Sequence, residues 1–284
     1  MNKAIQIAYD EQFELKCRLA SEAGFRHISV NFDAAKELSD EAWEKAPAHI
    51  ASVLEKNALA VVQTHLPYYD LRISAEIFDD KMEKAIRNSI RTGSMVGAPW
   101  HVWHPRSAIS DGWSVSSAQR INFETVSGYL ALAREYGAGI ALENLPTFSG
   151  IRPIMPFYTS NYPDLIDLCD RFDTPDVGIC WDFGHANLMH LDQAAALQAI
   201  GSRVVCTHIH NNFRDDDQHL PPDQGNINWS RALSAMADIG YTGPLTLETH
   251  CLYHDEGLLA SFARHNFAAL VYLESLMKKE GSTK

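Results

Sequence analysis

The chain has 284 residues, 46% hydrophobic and 21% charged, the balance of a globular protein and not of a disordered or fibrous one. A formal net charge of −12 and the lack of any basic run argue against nucleic acid as a partner, although a metal cluster can supply positive charge locally. The N-terminus has no 7–15-residue apolar run of a secretory signal, and no stretch approaches the ~18 apolar residues of a membrane span, so a cytoplasmic protein with no membrane partner is expected.

Taken in chain order, strand-like runs fall at 4–9, 27–32, 58–65, 99–104, 139–145, 177–183, 203–210 and 244–249. Most are continuously apolar, as parallel strands covered on both faces are. Amphipathic stretches lie between them. In 118–136, Val126, Leu130 and Ala133 repeat at helical steps; in 257–279, Leu259, Phe262, Ala269, Leu273 and Leu276 share one stripe. Gly24, Gly137 and Gly240 close helix-like runs shortly before the next strand, in the manner of left-handed caps. Eight such units predict a single-domain (β/α)₈ TIM barrel over 1–284, with a flexible tail from about 278. An open doubly wound sheet is the alternative, but no Gly-rich phosphate fingerprint follows the first run. Five cysteines, Cys17, Cys169, Cys180, Cys206 and Cys251, form no C-x-x-C pair and read as reduced thiols. Cys180 and Cys206 fall inside strand-like runs, as small core residues do.

The ends of these runs carry the chemistry. They read T-H-L-P at His65, H-V-W-H-P at His104, L-E-N at Glu143, W-D-F-G-H at Asp182, T-H-I-H-N-N at His208 and L-E-T-H at Glu248. His65, His104, Glu143 and Asp182 follow one another at steps of 39 residues, Asp182 to His208 is 26, and His208 to Glu248 is 40. One β/α unit takes roughly 30–40 residues, so each such step moves about one strand around the barrel and the side chains converge at one rim. Carboxylates inside apolar strands are costly unless paired or metal-bound. Glu143, Asp182, His208 and Glu248 make a mixed N/O set suited to Mn²⁺, Zn²⁺, Co²⁺ or Fe²⁺ and not to a thiolate site. Asp217-x-His219, with His185, offers a further chelate, and His65 and His104 extend the cluster on the other side. The competing reading makes these groups hydrogen-bonded structural residues or substrate contacts. His101, His210 and His250 are ambiguous, while His27, His49, His190, His254 and His265 are not expected to be ligands.

With these motifs, from Ala4 to about Leu276, the sequence resembles the xylose isomerase-like, sugar-phosphate isomerase/epimerase superfamily, of which endonuclease IV is the DNA-repair branch. The resemblance implies metal ligands at Glu143, Asp182, His208 and Glu248, with the two glutamates exchanging a substrate proton. The endonuclease IV pattern implies additional ligands at His65, His104, His185, Asp217 and His219, for one to three divalent ions (Mn²⁺, Zn²⁺ or Co²⁺). The D-F-G-H segment departs from the repair enzymes' D-x-C-H. The leading expectation is an isomerase or epimerase acting on a small carbohydrate-like substrate through an enediolate, with His185 or His210 polarising the oxygen. Trp103, Trp181 or Phe183 would form an apolar wall against the sugar face, with core packing the expected role of at least one. Alternatives are a keto-polyol dehydratase, an endonuclease IV-like phosphodiesterase using Arg72, Arg106 and Arg152, and a non-enzymatic sugar-binding barrel. Segments 144–158 and 214–229 are candidate lids, and a homo-oligomer is a further expectation.

Overall fold

Eight runs of buried apolar residues form strands: β1 (Lys3–Ala8), β2 (His27–Asn31), β3 (Ala60–His65), β4 (Trp100–Trp103), β5 (Gly139–Glu143), β6 (Val177–Asp182), β7 (Val204–His208) and β8 (Leu245–Leu247). The structure is a computed structural model and describes residues 1–33, 36–39, 41–67, 80–107, 114–146 and 158–278. The strands pair in parallel in the order β7-β6-β5-β4-β3-β2-β1-β8. Between β7 and β8 the ring is closed by one bridge, Ile209 to Leu247, with Ile209 N donating to Thr246 O at 2.8 Å and Glu248 N to Ile209 O at 3.0 Å. Thr207 reinforces this seam: its hydroxyl donates to Pro244 O at 2.9 Å. The product is the (β/α)₈ barrel that the alternating pattern predicts.

The helices are α1 (Phe13–Ala23), α2 (Ala46–Lys56), α3 (Asp80–Met95), α4 (Val115–Arg134), α5 (Tyr162–Asp170), α6 (Phe183–Leu188), α7 (Gln193–Ile200), α8 (Trp229–Asp238) and α9 (Glu256–Lys278). Gly24, Gly137 and Gly240 all adopt positive φ, at 114°, 74° and 71°, as cap residues. Helix α4 begins three residues before the predicted 118 because Ser114 and Ser117 form a reciprocal capping box. The last strand is shorter than the predicted 244–249, so Glu248 lies just beyond it. The C-terminal residues 279–284, expected to be flexible, lie outside the described residues.

Between strands and helices sits the main core, which holds Trp103, Trp181 and Phe183, each at most 1% exposed. Trp103 packs on Tyr129 of α4 at 5.0 Å and Phe183 on Trp229 at 5.4 Å. The apolar wall expected from these three is therefore corrected: they face the helices, not the barrel mouth. Inside the barrel a separate small cluster of Val102, Ala141, Cys180 and Cys206 fills the lumen, where Thr246 also donates across the barrel to Gln63 at 3.1 Å. Burial pushes the Cys180 thiol up to about 12. No described helix is long and apolar enough to cross a membrane.

Candidate metal centre

The inward-facing positions two residues beyond that lumen cluster carry the polar groups, because alternation keeps i and i+2 on one face. Above Ala141, Cys180 and Cys206 stand Glu143, Asp182 and His208, all fully buried. Glu248 joins them from the end of β8. His208 Nδ1 lies 3.2 Å from Glu143 Oε1, 3.0 Å from Glu248 Oε2 and 3.8 Å from Asp182 Oδ2. One donor atom from each of the four lies within 4.8 Å of every other. The four residues predicted as the central ligand set thus come together.

Besides two groups that overlap it, His65 with His208 and Glu248, and Cys180 with Glu143 and His208, two flanking groups adjoin this one. His65, His104 and Glu143 form the first: His104 Nε2 is 3.0 Å from His65 Nε2 and 3.1 Å from Glu143 Oε2. His185, His210, Asp217 and His219 form the second: the Nε2 atoms of His185 and His219 both lie 3.2 Å from Asp217 Oδ2. Glu143 and Asp182 connect the groups, since Glu143 belongs to both the first flanking group and the central one, and Asp182 lies 3.1 Å from His210 Nε2. Every residue that the endonuclease IV resemblance implies is therefore gathered at one mouth.

The donor set fits divalent cations. His65 Nδ1 is 2.8 Å from Leu66 O, His185 Nδ1 is 2.9 Å from Asn144 O, and His219 Nδ1 is 2.9 Å from Glu248 O. A carbonyl oxygen only accepts, so each Nδ1 carries a proton and each Nε2 is turned to the site, the orientation that metal-binding histidines use. Asp217 Oδ1 is buried without a hydrogen bond among the described residues. Four carboxylates, Glu143, Asp182, Asp217 and Glu248, in a largely buried mouth are expensive without a compensating cation. With protein groups alone, the histidines must supply that charge. Burial by itself lowers the His65 imidazole, but its hydrogen bond to Glu143 and the charges of Asp33, Glu143 and Glu248 outweigh it and raise it to about 9. Burial likewise opposes ionisation of Glu143, yet His208 and His104 hold its carboxyl well below the ordinary range.

Local folding supports the set. The Asp182 side chain caps α6, accepting from His185 N at 2.6 Å, so one residue ends β6, starts the helix and faces the centre. Gly184 has to lack a side chain: a Cβ there would sit 1.9 Å from His210 Cε1. Asn144 binds β6 on both sides, donating to Asp182 O at 2.9 Å and accepting from Asp182 N at 2.7 Å. The segment 214–229, a candidate lid, is pinned by Asn211 to Pro222 O and by Trp229 Nε1 to Pro222 O, both at 2.7 Å; it carries Asp217 and His219 to the site. Sequence reasoning missed Gln6, whose amide donates to Glu248 Oε1 at 2.7 Å, and Asn31 and Asp33, which line the cavity of 180 Å³ that opens on these groups. A glutamine within β1 and the Asn31-x-Asp33 pair at and just beyond the end of β2 carry no signal that separates them from ordinary surface residues.

The ambiguous histidines separate. His210 joins the second flanking group. His101 points away: Thr64 Oγ1 at 2.7 Å and Ser94 Oγ at 2.8 Å occupy its ring nitrogens, and burial pushes it down to about 3. His250 lines the cavity and stacks on His219, ring centroids 4.2 Å apart. His27, His49, His190, His254 and His265 belong to none of the three groups. Arg106, expected at the rim, is only 3% exposed, which removes it as a groove-reading residue. Arg72 and Arg152, and residues 147–157 of the other candidate lid, lie outside the described residues.

Comparison with known proteins gives the family. The profile described as xylose isomerase-like TIM barrel matches residues 17–264. The uncharacterized protein MJ1311 of Methanocaldococcus jannaschii is 31% identical over 228 residues, covering 77% of this chain and 75% of that one. Among solved structures, a D-tagatose 3-epimerase-like protein superposes with a TM-score of 0.72 at 22% identity, covering 98% of this chain and 99% of its own. A family 2 AP endonuclease of Brucella melitensis superposes with a TM-score of 0.70 at 18% identity, covering 93% and 98%.

Proposed function

The chain belongs to the xylose isomerase-like TIM barrel family, and we propose that it is a divalent-metal-dependent isomerase or epimerase of a small carbohydrate, located in the cytoplasm. The observation that carries this reading is the position of His208 Nδ1 between Glu143 and Glu248, at 3.2 and 3.0 Å. Two carboxylates on one cation site are what a reaction needs that removes a proton and returns it. A cation held by Glu143, Asp182, His208 and Glu248 would supply Lewis-acid polarisation of a carbonyl and its neighbouring hydroxyl. Glu143 and Glu248 then exchange the proton on the carbon next to that carbonyl. Gln6 fixes Glu248 Oε1 and leaves Oε2 toward His208. His185 and His210 stand beside Asp182 to bind a substrate oxygen. Barrels of this fold include epimerase-like proteins, which is consistent with the reading.

A second reading is hydrolysis of a phosphodiester by two or three cations. The two flanking groups favour it, because they place His65 and His104 on one side and His185, Asp217 and His219 on the other. Against it stands the rim: none of the described residues lining the 180 Å³ cavity is Lys or Arg.

One experiment separates the two. The protein is loaded with Mn²⁺, Zn²⁺ or Co²⁺, its ions per chain are counted by elemental analysis, and deuterium uptake from solvent is followed at the α carbon of ketoses. Uptake abolished by Glu143→Gln and Glu248→Gln supports the isomerase. No uptake on any ketose, together with nicking of abasic-site DNA, hands the site to the hydrolase.

A further inference from the structure

Beside the 180 Å³ cavity lies a larger one of 390 Å³, and the two share Asn31, Glu248 and His250 along a common edge. Its volume is in the range of about 300–1,000 Å³ typical of small-molecule sites. It leads from the ends of β1 and β2 into the space beside α1 and α9, where Leu19, Leu259, Phe262 and Ala263 form apolar walls. The segment after β8 bounds it. There Leu252 is 85% exposed and Tyr253 64% exposed, and adjacent exposed apolar side chains mark a contact surface.

The charge of this compartment restricts what enters it. Among the described residues that line it, Lys16 is the one lysine or arginine, and its ammonium is paired with Asp10 Oδ2 at 2.6 Å. A phosphate placed there finds no uncommitted cation and faces Glu248. His250 stands at the junction, lining both spaces, its ring held by the stack on His219.

We propose that this compartment is a subsite for an uncharged aryl or alkyl substituent, so that the substrate is a substituted, unphosphorylated sugar. The sugar ring lies at Glu248 and His250, and its substituent extends between α1 and α9. This assignment rests on the carbohydrate function proposed above.

The test uses the Mn²⁺-loaded protein with phenyl β-D-glucopyranoside, methyl β-D-glucopyranoside and glucose 6-phosphate as probes, their binding measured by calorimetry. In parallel, the rate of iodoacetamide alkylation at Cys251 is followed. Cys251 is a partly exposed thiol in the compartment wall, while Cys17, Cys169, Cys180 and Cys206 are buried. The phenyl glycoside is expected to bind at least tenfold more tightly than the methyl glycoside and to slow alkylation at least tenfold. Cys251→Trp, which narrows the compartment from its edge, should erase the phenyl preference. Equal affinity for the two glycosides, tighter binding of glucose 6-phosphate, or alkylation unaffected by the phenyl glycoside overturns the proposal. So does alkylation that slows with protein concentration and not with glycoside, which assigns Leu252 and Tyr253 to a second copy of the chain. A phenyl preference without deuterium uptake on any ketose keeps the subsite and removes the isomerase; uptake without the preference does the reverse.

Discussion

At the mouth of the barrel Glu143, Asp182 and His208 crowd their polar atoms around one another, while two residues earlier on the same strands Ala141, Cys180 and Cys206 pack with Val102 as a small apolar plug. Both layers are fully buried and face the same lumen. The lower layer gains free energy from closing the barrel to water. The upper layer gives free energy up, since carboxylates and imidazoles without a cation neutralise one another only partly. Strand backbone and hydrogen bonding are shared by the two layers, so the difference between them lies in side chains alone. A barrel strand therefore carries stability and chemistry at neighbouring inward positions, and a substitution in one layer should leave the other's property intact.

The strongest way to break that comparison is Glu143→Gln. It removes the charge shared by the central and first flanking groups, so proton exchange should fall on the order of 10²–10⁴-fold and bound metal should drop, as read by deuterium uptake and elemental analysis. Retained exchange would mean that the upper layer is not the reacting one.

Removing the cation tests whether the upper layer is strained without it. A ligand present at 100 times its dissociation constant stabilises the fold by about 2.7 kcal/mol. A chelator should accordingly lower the Tm of the loaded protein, and an unchanged Tm would show that the mouth tolerates its charges unaided.

A third test concerns His101, on the opposite face of the wall from His104. Its folded pKa of about 3 lies below the free value of 6.5, so between those values the unfolded chain binds a proton that the folded one does not. Its contribution is intact above about pH 6.5 and declines as pH falls toward 3, by up to ~1.4 kcal/mol per pH unit. Urea midpoints of wild type and His101→Gln, compared at pH 7 and 4.5, should show a shallower acid loss in the variant. Equal acid losses would contradict the burial argument.

The smallest effect is expected from Cys180→Ala in the lower layer, about 1 kcal/mol or less of stability with metal content unchanged. Loss of metal in this variant would make the thiol a ligand and move the boundary between the layers down by one position.

Much of this site was legible in the chain because acidic and imidazole residues interrupt apolar runs at the spacing of one β/α unit. Glu143 and Asp182 stand out for that reason, and the 39-residue steps translate into neighbouring strands. Which of two histidines on one strand end faces the lumen was not legible for β4: His101 and His104 are three apart, so alternation puts them on opposite faces, but the register that decides which faces in comes from pairing with β3 and β5. Trp103 and Trp181 illustrate the same limit, since an aromatic beside a ligand reads equally as a substrate wall or as core until the facing helix is in place.

The order of elements, the barrel and the roster of candidate ligands are properties of the sequence by itself, because hydrophobic periodicity and the cost of burying charge act along the chain. The partition of those ligands into three adjoining groups, the tautomers set by the Leu66, Asn144 and Glu248 carbonyls, Gln6 on Glu248 and the compartment beside α1 and α9 belong to the tertiary structure. Apart from the adjacent His65–Leu66 pair, each depends on contacts between residues far apart in the chain, which the pairing of neighbouring strands and the closing of β8 onto β1 and β7 bring together.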